Sequence, residues 1–410
     1  MRAHILELGL LAVSLLLATS SQPCSATSPA LALGVPLYPF ITQQPEADGG
    51  GDRLGERMAE AMQHPGSAGA VVTLCWVNEE PKPDDFRFLD GPDRTLVSLA
   101  KLIKPGQHVI LGIKAGNCAP PWLSTNFGVP LVEAYHGGEG GDTPRGCPKM
   151  YVAVSYNPKF IDRYDNVAHA LWDATGKLKT GDGSTLQSRM LALKNGGMSS
   201  ARTEEMGINA LGCKHGGVVY QTPEEVAQKW ANLPGENAFR PAKIVPAYMK
   251  MLDGLFAFLP PNVSVSQDIH AEDRAAFPWV SDNGGLAPEG GGRQPLVEGI
   301  LLAAAHRYGN RIIFGWNALA LREPGKEPPR AAQVVMSAGR AGAGMDWQLN
   351  GKGGQQHTSC YGRGDPTQAT PQCFAQIIAY GMSLVPPESN HGKLHWIEFH
   401  PRDAVENPLF

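Results

Sequence analysis

The chain has no long block of like charge, which excludes the basic stripe on which a nucleic-acid backbone is held. Lys plus Arg number 35 against 39 Asp plus Glu, a formal net charge of −4 over 410 residues. Three short chemical signatures are missing as well. There is no His-Glu-x-x-His, no Gly-x-Ser-x-Gly and no glycine-rich P-loop, which sets aside zinc-protease, serine-hydrolase and P-loop chemistry. No two cysteines stand in the Cys-x-x-Cys spacing of a zinc site. No apolar run is long enough to cross a bilayer comfortably: the longest, Leu8 to Ala18, is short and broken by Ser14. What is abundant is glycine and proline, 48 and 34 residues, without the period of collagen or the clustering of a linker. With 42% hydrophobic residues, this predicts a large core carrying long loops.

The amino terminus reads as an export signal. Met1-Arg2 with His4 supplies the charged start, Leu8 to Ala18 the apolar core, and small and polar residues follow. Cleavage after Ala26 or Ala32 fits, and Ala30-Leu31-Ala32 favours the latter. Residues 1–32 are then a signal peptide and 33–410 one domain, secreted or periplasmic, with no membrane attachment after cleavage. Six cysteines remain: Cys75, Cys118, Cys147, Cys213, Cys360 and Cys373. An even number in an exported chain favours disulfides over metal. Proximity in sequence predicts Cys118–Cys147 and Cys360–Cys373, with Cys75 free in an apolar strand.

Short β-branched or apolar runs predict strands at 70–77, 108–113, 151–156, 190–193, 263–269, 311–316, 344–349 and 394–399. Helical segments fall between them at 94–103, 158–172, 223–230, 241–259, 295–307, 330–337 and 370–382, several with proline in the first turn. Eight strands alternating with helices predict an α/β protein, a (β/α)8 barrel. An open doubly wound sheet usually has fewer strands and a glycine turn after the first, whereas Asn78-Glu79-Glu80-Pro81 follows the first run here.

Such barrels place their chemistry where the strands end. Those positions are rich in rings, amides and acids: Trp76, Lys114, Trp122, Tyr156, Asn195, Gln267, Trp316, Asn317, Trp347, Gln348 and His400, with Asp268 among the acids. Rings stack on the apolar face of a pyranose, amides and charges bind its hydroxyls, and two carboxyls can cleave a glycosidic bond. The predicted partner is therefore a carbohydrate.

Leu111-Gly112-Ile113-Lys114-Ala115-Gly116, Pro120-Pro121-Trp122-Leu123, Tyr156-Asn157-Pro158-Lys159-Phe160 and Asn195-Gly196-Gly197 with Thr203-Glu204-Glu205 form a spaced series. This series resembles the retaining glycoside-hydrolase barrels that include the β-galactosidase-like family 42 group. The closing Trp396-Ile397-Glu398-Phe399-His400-Pro401 and Asp403 look like the last strand of related uncharacterised glycosidase-like members. The resemblance implies a glycosidase with two carboxylates and no cofactor. Two departures stand out. No acid follows Asn195 directly, since Glu204 and Glu205 come nine and ten residues later, and Asp346 stands where that group places a glutamate nucleophile.

The assignment that follows makes Glu205 the general acid and Glu398 the nucleophile or base, with Asp346 competing for Glu398's role. Structural explanations stand beside it. Glu204 and Glu205 suit the positive end of a helix, and a buried ion pair with Lys114 or Lys194 would account for Glu398. His270, Glu272 and Asp273 could in principle ligate a cation, but no metal is expected. Arg363-Gly364-Asp365 reads as a loop turn, and Asn262-Val263-Ser264 as a glycosylation acceptor where the host glycosylates exported proteins. The alternative to hydrolysis is a non-catalytic carbohydrate-binding barrel that has lost part of the catalytic pair.

Overall fold

In a computed structural model the described residues are 37–42, 56–91, 94–135, 146–199, 206–207, 213–269, 277–278, 280–286, 296–319, 327–349, 371–386 and 393–399. Eight parallel strands close into a barrel: β1 (Leu37–Thr42), β2 (Gly69–Cys75), β3 (His108–Lys114), β6 (Met190–Gly196), β9 (Ser264–Ile269), β10 (Ile312–Leu319), β11 (Gly344–Leu349) and β12 (Leu394–Phe399). Closure is made by β1, which pairs with β12 on one side and β2 on the other. Two antiparallel hairpins stand apart from the barrel, β4 (Leu131–Tyr135) with β5 (Lys149–Ala153), and β7 (Cys213–His215) with β8 (Val218–Gln221).

The predicted strand count holds, but one member is exchanged. The run at 151–156 is an arm of the β4–β5 hairpin, where Tyr151 faces water and Val152 the interior. The eighth barrel strand is β1, and the helix Glu56–Gln63 (α1) completes its βα unit.

The remaining helices are held at their ends as the sequence suggests. Asn157 caps Pro158–Lys177 (α2), its Oδ1 accepting from the N–H of Lys159 and Phe160. Thr222 and Glu225 form a reciprocal capping box at the start of Pro223–Ala231 (α3). Pro241–Phe258 (α4), Leu296–Tyr308 (α5), Arg330–Arg340 (α6) and Pro371–Ser383 (α7) complete the later connections, and Thr95–Leu102 covers the link from β2 to β3. Among these helices and the outward faces of the strands lies the main core. Val71, Ile110, Ala192, Ile313 and Trp396 form a second apolar cluster inside the barrel.

The disulfides differ from those predicted. Cys75 is not free: it bonds Cys118, and Cys147 bonds Cys213. Cys75 and Lys114 are register partners on β2 and β3, which brings the end of β2 beside the turn Gly116–Cys118 after β3. The second bridge ties the two hairpins together, so spatial neighbours rather than sequence neighbours pair. Cys360 lies outside the described residues, as does the side chain of Cys373 and the whole of 1–32. Among the described residues no helix is long and apolar enough to cross a membrane.

Candidate active site

Side chains on a strand alternate between the barrel interior and the helix layer. On four strands the interior position one step above the apolar cluster carries a charge: Lys194 on β6, Asp268 on β9, Asp346 on β11 and Glu398 on β12. All four are at most 2% exposed. Lys194 Nζ lies 2.5 Å from Asp268 Oδ2 and 3.6 Å from Glu398 Oε1. Trp396, one interior step below Glu398, donates its indole N–H to Glu398 Oε1 at 3.2 Å.

Glycines make the space for this layer. Gly315 on β10 is the register partner of both Asp346 and Asp268. A methyl there would stand 1.9 Å from Asp346 Oδ1 and 2.6 Å from Asp268 Oδ1. Gly112 on β3 is likewise opposite Lys194, whose Cβ would be 2.8 Å from an added methyl.

Among the described residues three carboxyls gather beside the Lys194 ammonium, and this crowding strengthens the hold of Asp346 on its proton. Its carboxyl is pushed well above the usual carboxylate range, first by burial and then by the Asp268 and Glu398 charges; Lys194 and the Trp396 N–H oppose the shift. A carboxyl held above its usual range beside other carboxyls is suited to be an acid with bases at hand. One oxygen from each of the three lies within 4.8 Å of the other two, close enough in principle for a divalent cation. Lys194 supplies positive charge against two of them.

The predicted site residues divide by strand face. Lys114, Asn317 and Gln348 stand at interior positions one step above the charged layer, toward the ends of β3, β10 and β11. Asn195, Gln267, Trp316 and Trp347 occupy the alternate positions, which point to the helix layer. Trp347 donates to the Gly381 carbonyl of α7 at 2.8 Å, and Trp316 meets its ring edge-on. Trp76 and Trp122 lie in a packed cluster with Phe160 and Tyr164 of α2, where no ring face is open to a sugar. The Tyr156 ring packs on Trp230 and Phe239 and its hydroxyl donates to the Asn237 carbonyl at 2.6 Å. Glu205 and His400 lie outside the described residues, but Met206, next in sequence to Glu205, donates its N–H to the Asp268 carbonyl at 2.9 Å.

The strand ends offer Asp268 without a role and Lys194 as an ion-pair partner of Glu398, which the structure shows at 3.6 Å; Trp396 stands in the last-strand motif alone. The alternation within each strand could have placed Lys194 and Asp268 in one layer, since Lys194 precedes Asn195, Asp268 follows Gln267, and each sits on the opposite face from that neighbour.

No protein-family model matches the chain, and no curated protein sequence matches it. Solved structures similar to it are glycoside hydrolases. They include a family 5 enzyme from Prevotella bryantii B14, 7% identical over 93% of this chain and 94% of that one, with a TM-score of 0.40. A GH5_18 structure from Streptomyces cattleya is 12% identical over 89% and 70%, with a TM-score of 0.39. An exo-β-1,4-mannosidase from Opitutaceae bacterium strain TAV5 is 11% identical over 87% of this chain, with a TM-score of 0.39, and the present chain spans about half its length, 51%. The named families are family 5, not the family 42 group, and the barrel assignment here rests on the strand pairing itself.

Proposed function

We propose that this chain is an exported glycoside hydrolase cleaving O-glycosidic bonds of an oligo- or polysaccharide. The observation that carries the reading is the layer of Asp268, Asp346, Glu398 and Lys194 inside the carboxyl-end half of the barrel, with the Asp346 carboxyl pushed above its usual range by burial and by its acidic neighbours. Glycoside cleavage needs one carboxyl that gives a proton to the leaving oxygen and one carboxylate that attacks the anomeric carbon or activates water. In this reading Glu398 is the nucleophile or base. Glu205 or Asp346 gives the proton; Met206, next in sequence to Glu205, is tied by its N–H to the Asp268 carbonyl of β9. Lys114, Asn317 and Gln348 bind sugar hydroxyls. The two disulfides and the amino-terminal segment 1–32 support export into an oxidising compartment.

A non-catalytic carbohydrate-binding barrel is the second reading, favoured by the Lys194 contacts that occupy Asp268 and Glu398. Hydrolysis of a panel of aryl glycosides and polysaccharides by wild type, Glu205→Gln, Asp346→Asn and Glu398→Gln separates the two. Loss of turnover in Glu398→Gln and in one of the other variants supports the hydrolase. Saturable glycan binding without turnover in wild type supports the binding barrel.

A further inference from the structure

Of seven large hydrophobic residues exposed among the described residues, four lie on the two small hairpins: Tyr151, Val218, Val219 and Tyr220, at 52, 57, 55 and 49%. That concentration marks a surface built to be covered. Both hairpins are insertions in the connections that leave β3 and β6, so they sit at the end of the barrel where strands finish, the same end as the charged layer.

The surface is also rigidly assembled. The Cys147–Cys213 bridge joins the hairpins, the Tyr135 N–H donates to Gln221 Oε1 at 3.4 Å, and Lys229 Nζ donates to the Glu133 carbonyl at 2.8 Å. Register puts Tyr135 with Lys149 and Glu133 with Tyr151 on one outward face of β4–β5. The Tyr135 and Tyr220 rings stand 6.1 Å apart, tilted at 43°. Lys149 pairs with Glu133 at 2.5 Å and lies 5.9 Å from the Tyr151 ring centre. On this face Lys149 is paired with Glu133 and Lys229 is tied to the Glu133 main chain, and three tyrosine rings with polar groups between them match the alternating apolar faces and hydroxyls of a sugar chain.

We propose that this face binds a neutral polysaccharide, extending from the barrel mouth. As an account of substrate class this rests on the hydrolase reading, and it implies a polymer rather than a short glycoside. Ring stacking carries the contact, so each tyrosine removed weakens binding by about tenfold.

The test is affinity electrophoresis of the full chain in gels containing cellulose derivatives, β-mannan, xylan or β-1,3-glucan, paired with aryl-glycoside turnover. Retardation of wild type by one of these polymers, lost in Tyr151→Ala/Tyr220→Ala while aryl-glycoside turnover stays, is expected. Tyr220→Phe retains retardation, which separates ring stacking from misfolding. Retardation lost in the double variant without turnover in wild type upholds this surface while the hydrolase reading fails. Absence of retardation by every polymer, retention in the double variant, or a dimer in sedimentation velocity that Val219→Ser dissociates would each overturn the proposal, the last in favour of a second copy of the chain.

Discussion

Glu80 and Glu398 are both buried, both accept an indole N–H and both face a cation, yet their surroundings ask different things of them. Glu80, outside the barrel, has donors for both oxygens: Trp76 Nε1 at 2.7 Å on one, and the Asp84 N–H at 2.8 Å with Arg163 on the other. Arg163 in turn lies over the rings of Trp122 and Phe127. Arg163 also reaches the exposed Asp84 at 3.0 Å, and the result is a pin between the end of β2 and α2, in which burial raises the Glu80 carboxyl while the Trp76, Asp84 and Arg163 donors pull it back. In the barrel, three carboxyls lie together with Lys194 against two of them, and burial and the neighbouring acids push the Asp346 carboxyl well above its usual range. The difference lies in the donors: Glu80 has them on both oxygens, whereas Asp346 is crowded by two further carboxyls.

The sharpest way to test that distinction is to neutralise each acid. Glu398→Gln is expected to lower turnover by on the order of a thousandfold with little change in sugar binding, measured by steady-state kinetics. Glu80→Ala leaves the partly buried Arg163 with the exposed Asp84 and removes the acceptor of the Trp76 N–H, and should cost about 3 kcal/mol, read from urea unfolding, while activity per folded molecule is kept. The hairpin bridge gives an intermediate effect: Cys147→Ser/Cys213→Ser should lower stability by about 2–4 kcal/mol and leave aryl-glycoside turnover intact. Gly315→Ala pushes a methyl into Asp346 and Asp268 and should cost about 1–3 kcal/mol, together with a loss of turnover that a simple packing defect elsewhere would not produce.

A third acid, Asp165 on α2, sharpens the comparison because it lies in the helix layer, where Gly254 of α4 leaves room for its carboxyl. Burial, then the Asp162 charge, pushes it up to about 7, against the pull of Lys250. The unfolded chain loses this proton first, near its ordinary value of 3.8, so the native state holds more protons between about pH 4 and 7. Stability should therefore fall as pH rises through that window and level off above it. Thermal unfolding of Asp165→Asn across the same range should lack this component.

The fold was legible because parallel strands buried on both faces read as apolar runs separated by amphipathic helices. The exception was the first unit, where β1 is six residues long and follows closely on an apolar leader-like segment, while an outlying hairpin arm at Tyr151 supplied a false eighth strand. The site was legible only in part. Strand ends were recognised, but facing was not, so Trp316 and Trp347 were chosen where the interior residues are Gly315 and Asp346. Asp346, Glu398, Asp268 and Lys114 followed from position along the strands; that Lys194 and Asp268 share one layer with them needed the parity of each strand, and the glycines at 112 and 315 were its visible mark. The disulfides could not be read from spacing because the register of β2 with β3, and the meeting of two hairpins, decide which thiols approach.

The pairing of β1 with β12 joins opposite ends of the described chain, Leu37 against Trp396 and Ile41 against Phe399. Synthesis from the amino terminus therefore leaves one edge of the growing sheet bare until the last strand leaves the ribosome. Contacts of such long range are slow to form, and an unpaired edge invites pairing with another chain. Nascent chains stalled before residue 394 should thus be the aggregation-prone species in production of this protein, and a prematurely terminated message would release a barrel that never shuts.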